Sequence, residues 1–132
     1  MITGIGVDMV QVRRMARWLQ KPGLLERYFD PRELAAVLAR GGGADQSLAS
    51  HFAAKEALGK ALGTGFAGIA LKDIMVINHR SGRPEFQVVG TAMEALEKNG
   101  ANRIHLSLTH EQDYAVAMVV LEVICKKKKT EN

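Results

Sequence analysis

Along this chain of 132 residues the spacing of apolar positions changes several times, and each change marks an element. Residues 2–10 form a short apolar run that reads as a buried strand, and Gly4 and Gly6 within it leave room for something to pack closely on the backbone. Val12, Met15, Ala16 and Leu19 then recur at i, i+3, i+4 and i+7, one face of a helix that Pro22 and Gly23 are expected to end. Asp30, Pro31 and Glu33 read as N-cap, first and third helical residues, a capping box that opens a second helix running to the glycines at 41–43. A third, longer helix is expected over 47–62, closed by Gly63.

Beyond it, residues 72–78 and 85–89 read as the strands of a hairpin turned at 80–84. Thr91 and Glu94 form a second capping box, opening a helix that Gly100 ends. Two more strands follow, 103–109 and 114–123. Helices and hairpins come in blocks, which favours an α+β fold, a small antiparallel sheet packed with helices, over a doubly wound parallel sheet. Residues 115–121 are apolar at every position, so both faces of that strand should be covered, either by the chain's own helices or by another subunit.

Composition narrows the class. Hydrophobic residues make up 47% and charged residues 24%, as in an ordinary globular chain. One domain is expected over 1–125, followed by a disordered lysine-rich tail at 126–132. That tail holds four of the lysines and accounts for most of the net charge of +4; the body is nearly neutral. A single cysteine, Cys125, excludes an internal disulfide and any multi-cysteine metal site. No stretch suits a signal peptide or a membrane span, so a cytoplasmic protein without a membrane partner is expected.

Three groups of residues could carry chemistry. Asp8 ends an apolar strand, where a carboxylate must be paired, metal-bound or used as an N-cap. On the long helix Glu56 and Lys60 stand four apart, an ordinary surface pair in isolation. Their surroundings are unusually slim, with Ala53, Ala54, Ala57, Gly59 and Ala61, which lets a ligand or another backbone approach. Gly63, Thr64 and Gly65 then offer backbone N–H groups and a hydroxyl to a phosphate. The third group is strand-borne: His105, Ser107 and Thr109 share a face. The four histidines show no zinc-ligand spacing, and no nucleophile elbow is present. Two carboxylates, a lysine and glycine-flanked hydroxyls are the parts of a Mg²⁺-assisted phosphoryl-group site.

The segments GIGVDMVQVRRM and FAAKEALGKALGTG resemble the two motifs of the holo-acyl-carrier-protein synthase family of phosphopantetheinyl transferases. Gly6, Asp8 and Arg14 match the first motif; Phe52, Lys55, Glu56, Lys60, Ala61 and Gly63 match the second. The resemblance implies transfer of the phosphopantetheine arm of coenzyme A to a serine of apo-acyl carrier protein, a step of fatty acid biosynthesis. It also implies Mg²⁺ on Asp8 and Glu56, which with Lys60 are the catalytic residues. Coenzyme A phosphates would lie along Lys60, Gly63, Thr64 and Gly65, with Lys55 near, and the adenosine end near Arg83, Pro84 and His105. A homotrimer with active sites between subunits is implied as well.

Three positions depart from the family pattern. His51 replaces a common arginine, Arg83 a common lysine, and Val10 stands where larger relatives have a third metal carboxylate, leaving water to complete the shell. Arg13, Arg14, Arg17 and Lys21 form an acid-free face suited to docking an acidic carrier protein. The alternatives are a metal-dependent phosphohydrolase and a small basic nucleic-acid-binding module. Low aromatic content, 5%, and the neutral body argue against nucleic acid.

Overall fold

The structure, a computed structural model, describes residues 1–125; the tail expected at 126–132 lies outside the described residues. The first apolar run is strand β1 (Ile2–Gln11), and helix α1 (Val12–Trp18) follows at once with Val12 and Met15 buried. Pro22 and Gly23 do more than end that helix. Pro22 has no N–H to offer the Trp18 carbonyl, so α1 stops, but its fixed φ suits a first turn and it starts helix α2 (Pro22–Tyr28).

Helix α3 (Pro31–Leu38) is capped as expected, Asp30 Oδ1 accepting from the Arg32 N–H at 2.8 Å. The other half of the box is not made. Glu33 is 1% exposed and turns into the core instead of reaching back. Helix α4 (Ala44–Ala61) starts earlier than expected, continuing a 3₁₀ turn at Gly41–Gly43, and stops at Leu62 before Gly63 with φ 79°. Thirteen of its 18 residues are buried, which makes it the centre of the molecule.

The hairpin forms from β2 (Ile74–Asn78) and β3 (Pro84–Val88), with Lys72 and Asp73 in a 3₁₀ turn before it. Its turn is closed by the His79 N–H donating to the Arg83 carbonyl at 2.8 Å. Helix α5 (Gly90–Asn99) corrects the second capping box. Asp73 Oδ2 accepts from the Thr91 N–H at 2.8 Å and the Thr91 hydroxyl at 2.6 Å, so a carboxylate 18 residues away supplies the cap. A tertiary cap of this kind leaves no local sequence signature.

Strands β4 (Arg103–His110) and β5 (Tyr114–Glu122) join β1 in an antiparallel sheet of order β1-β5-β4, with the hairpin separate. The fold is α+β. In β5, Ala115, Ala117, Val119 and Leu121 are fully buried against α4 and its neighbours. The opposite face is bare in the single chain: Ile5, Val7 and Met9 are about 60% exposed and Met118 is 45%. The chain's own helices cover one face of β5 and leave the other open. His105, Ser107 and Thr109 lie on that open face, beside Val120, Met118 and Val116.

Candidate active site

The approach of β1 to α4 builds the site. Gly4, Gly6, Asp8 and Val10 alternate onto the helix side of β1, because successive strand residues point to opposite faces. An added Cβ would stand 2.0 Å from the Ala61 carbonyl oxygen at Gly4 and 2.0 Å from that of Ala57 at Gly6. Only glycine allows this spacing. Asp8, next on the same face, is thereby carried to the helix turn that bears Glu56 and Lys60.

There the Asp8 side chain is 10% exposed, and its Oδ1 accepts from Lys60 Nζ at 2.9 Å. Lys60 Nζ also donates to the Val7 carbonyl at 3.1 Å. Asp8 Oδ2 is buried without a hydrogen-bond partner, a costly condition for a carboxylate oxygen. Burial first, and then the neighbouring Asp8 carboxylate, push the Glu56 carboxyl above its usual range, against the pull of Arg14 and Lys60. Lys60 is itself shifted upward by its bond to Asp8, although it is largely exposed.

Two crowded carboxylates with one orphaned oxygen suit a hard divalent cation. Among the described residues no group of three or more His, Cys, Asp or Glu side chains gathers, and Val10 is buried, so such a cation would keep several waters.

Around this pair the other expected residues separate. Glu56 lines a cavity of about 500 Å³ with Arg14, Trp18, Tyr28, Phe52 and Phe66. The Arg14 guanidinium lies 5.6 Å from the Trp18 ring and 5.5 Å from the Phe52 ring, so this arginine walls the cavity as well as belonging to the basic face. Arg13, Arg17 and Lys21 are exposed, but Lys21 caps α2 and is not on α1. Arg83, Pro84 and His105 share a different cavity of about 430 Å³, with His105 Nε2 donating to Glu122 Oε1 at 3.0 Å. That contact holds the Glu122 carboxyl below its ordinary value.

The Gly63 to Gly65 loop returns against α4, the Gly65 N–H donating to the Gly59 carbonyl at 3.1 Å. A Cβ on Gly59 would stand 3.0 Å from the Gly65 oxygen, so the slim helix receives a backbone here. Thr64 lines a third cavity, of about 370 Å³.

One expectation is corrected here. Lys55 is not open to a phosphate: it is fully buried, and its Nζ donates to Glu33 Oε1 at 2.6 Å and to the carbonyls of Tyr28 at 3.2 Å, Leu71 at 3.1 Å and Ile74. Burial pulls the Lys55 ammonium pKa down, while Glu33 opposes that shift. His51 is buried too, its Nδ1 donating to Glu33 Oε2 at 2.9 Å. Sequence spacing could not show this cluster, because Glu33 and Lys55 come from different helices and each carries an ordinary local explanation.

Comparison with known proteins agrees with the motifs. The family model of the 4′-phosphopantetheinyl transferase superfamily matches residues 4–119. A holo-[acyl-carrier-protein] synthase of Treponema denticola is 55% identical over 122 residues, 92% of this chain and 99% of the relative. One from Clavibacter michiganensis is 46% identical over 123 residues, 92% of this chain and 97% of the relative. The crystal structure of the Neisseria meningitidis holo-[acyl-carrier-protein] synthase superposes with TM-score 0.83 at 35% identity, covering 93% of this chain and all of that one. That of the Bacillus anthracis enzyme, in complex with CoA (3′,5′-ADP), superposes with TM-score 0.77 at 33% identity, covering 92% and 96%. With both motifs folded into one paired site and these similarities spanning nearly the whole of it, the chain belongs to the 4′-phosphopantetheinyl transferase superfamily, as an enzyme of the holo-[acyl-carrier-protein] synthase type.

Proposed function

We propose that this enzyme transfers the phosphopantetheine group of coenzyme A to a serine of apo-acyl carrier protein, using Asp8 and Glu56 as the holders of a Mg²⁺ ion. The observation that carries the site assignment is the buried, unpartnered Asp8 Oδ2 beside Glu56, opposite Lys60. In the reaction the serine oxygen bonds to the phosphorus that carries the pantetheine arm. The bond from that phosphorus to the adenosine side of the pyrophosphate breaks, and adenosine 3′,5′-bisphosphate leaves; the corresponding adenosine phosphate names the Bacillus anthracis complex. The ion, when bound, neutralises pyrophosphate charge and polarises its oxygens.

The chain's own groups do the rest. Lys60, on a long and exposed side chain, reaches phosphate oxygens and offsets charge on the leaving group. Glu56 takes the serine proton, directly or through water. Gly63, Thr64 and Gly65 line the phosphates, and Arg83, Pro84 and His105 receive the adenosine end. Arg13, Arg14, Arg17 and Lys21 meet the acidic carrier.

A homotrimer completes this reading. In one chain Glu56, Thr64 and His105 line three separate cavities, and the sheet carries an uncovered apolar face. Packing copies on that face covers it and brings His105 of one copy toward the carboxylates of another. The test is incubation of the enzyme with coenzyme A and apo-acyl carrier protein, with and without Mg²⁺. The carrier mass is expected to rise by one phosphopantetheine only with the metal; an unchanged mass with folded enzyme overturns the proposal.

A further inference from the structure

The ion pair buried between α3 and α4 takes no part in the reaction as written, but its place in the fold gives it another role. We propose that Glu33 and Lys55 are positioning residues that set how α4 is turned about its axis and so aim Glu56 at Asp8. This rests on the reading of Asp8 and Glu56 as the metal pair.

A helix packed through large side chains is held in rotation by ridges seated in grooves. Where α4 meets β1 it presents only small residues, Ala57 and Ala61, and its larger buried side chains such as Phe52 and Leu58 are apolar and make no directional bond. On the β1 side the contacts are backbone to backbone, Gly4 on Ala61 and Gly6 on Ala57. Such contacts set a distance, but with no side chain on the strand they resist rotation weakly. A sharper direction comes from polar contacts, whose geometry is narrow.

Lys55 supplies it. Its three ammonium protons are shared among Glu33 Oε1 and the carbonyls of Tyr28, Leu71 and Ile74, which belong to α3, the end of α2 and the 71–74 stretch that leads into β2. Only one rotation of α4 meets all four. Glu33 is fixed in turn, its Oε2 accepting from the Val76 N–H at 3.0 Å and from His51 Nδ1 at 2.9 Å. Successive helical residues are about 100° apart, so Glu56 lies between the Lys55 direction and the Ala57 direction. It is therefore aimed by the lock on one side and the glycine contact on the other.

The experiment compares wild type, Glu33→Gln and Glu56→Gln for Mn²⁺ binding, read by electron paramagnetic resonance with coenzyme A present, alongside kcat, KM and the thermal midpoint. Glu33→Gln keeps the size and an amide oxygen for Lys55 but removes the charge that holds it. Expected for Glu33→Gln is a loss of about 10-fold or more in both Mn²⁺ affinity and kcat, as when the supports of metal ligands are removed, with KM for coenzyme A near wild type. Lost stability alone would not lower the affinity of the folded molecules. Wild-type Mn²⁺ affinity in folded Glu33→Gln overturns the positioning role while Glu56→Gln still abolishes binding. Wild-type affinity in Glu56→Gln instead shows that the metal assignment has failed. Should Glu33→Gln not fold, Lys55→Arg, which keeps the charge with the wrong donor geometry, decides by the same criteria.

Discussion

Gly6 faces Ala57 so closely that a Cβ on the glycine would meet the Ala57 carbonyl oxygen at 2.0 Å and the Ala61 nitrogen at 2.8 Å. The atoms in the way are helix backbone, which cannot swing aside. Gly6→Ala must push α4 from β1, separating Glu56 and Lys60 from Asp8. It is expected to destabilise the fold by about 1–3 kcal/mol, the usual cost of overpacking, and to lower transfer beyond what lost stability explains. Gly23→Ala, with nothing within 4 Å, is the control. Thermal denaturation and the carrier mass assay read both effects.

Asp8→Asn and Glu56→Gln should each lower transfer by about 100-fold or more, the scale of losing a preorganised charge from a reacting centre. Both variants should fold. Neutralising either carboxylate relieves their mutual repulsion, so the metal-free thermal midpoint is expected to hold or rise. Near-normal turnover in both would remove the metal assignment.

The raised Glu56 carboxyl gives a signed pH dependence. Below the usual carboxylate range Glu56 is protonated in both folded and unfolded chains, and its contribution to metal-free stability is fully present. As pH rises through the raised folded value the proton leaves, the two carboxylates repel, and that contribution is lost. A bound divalent cation compensates the ionised pair. The gain in thermal midpoint on adding Mg²⁺ should therefore grow from mildly acidic to neutral pH; a gain independent of pH would contradict the pairing.

Arg14 and Arg17 should behave differently. Arg17 is exposed on α1, and Arg17→Glu is expected to raise KM for an acidic carrier by about 3-fold to 10-fold at low salt, leaving KM for coenzyme A unchanged. Arg14 covers Trp18 and Phe52 and lies near Glu56, so Arg14→Glu should lower kcat as well. Steady-state kinetics with each substrate varied separates the two, and equal effects on both substrates for Arg17→Glu would argue against docking on this face.

Val7 is 57% exposed on the open sheet face, where one chain tolerates a polar residue. Val7→Asp should leave the monomer folded and prevent assembly, since burying an unpaired carboxylate in an apolar interface costs several kcal/mol or more. Sedimentation should show a wild-type trimer and a smaller variant with little transfer. A variant that assembles normally would place the subunit contact elsewhere.

Much of this was determined by residue order. Apolar spacing located most of the elements, since period reports which face is buried, and the paired motifs marked Asp8, Glu56 and Lys60 because their residue types at those positions are specific. Local signals were less reliable where a residue had two uses. Glu33 and Thr91 each satisfied the pattern of a capping box, yet Glu33 holds Lys55 and Thr91 is capped by Asp73. Pro22 read as a stop and is a start as well.

Tertiary structure alone decided that Lys55 is closed off in the core, that Gly4 and Gly6 admit the α4 backbone, and that one face of β5 is open. The physical reason is common to all three. A buried charge, a close backbone approach and an uncovered face are each defined by partners far away in the chain, and local spacing carries information only about neighbours within a few turns or strand residues.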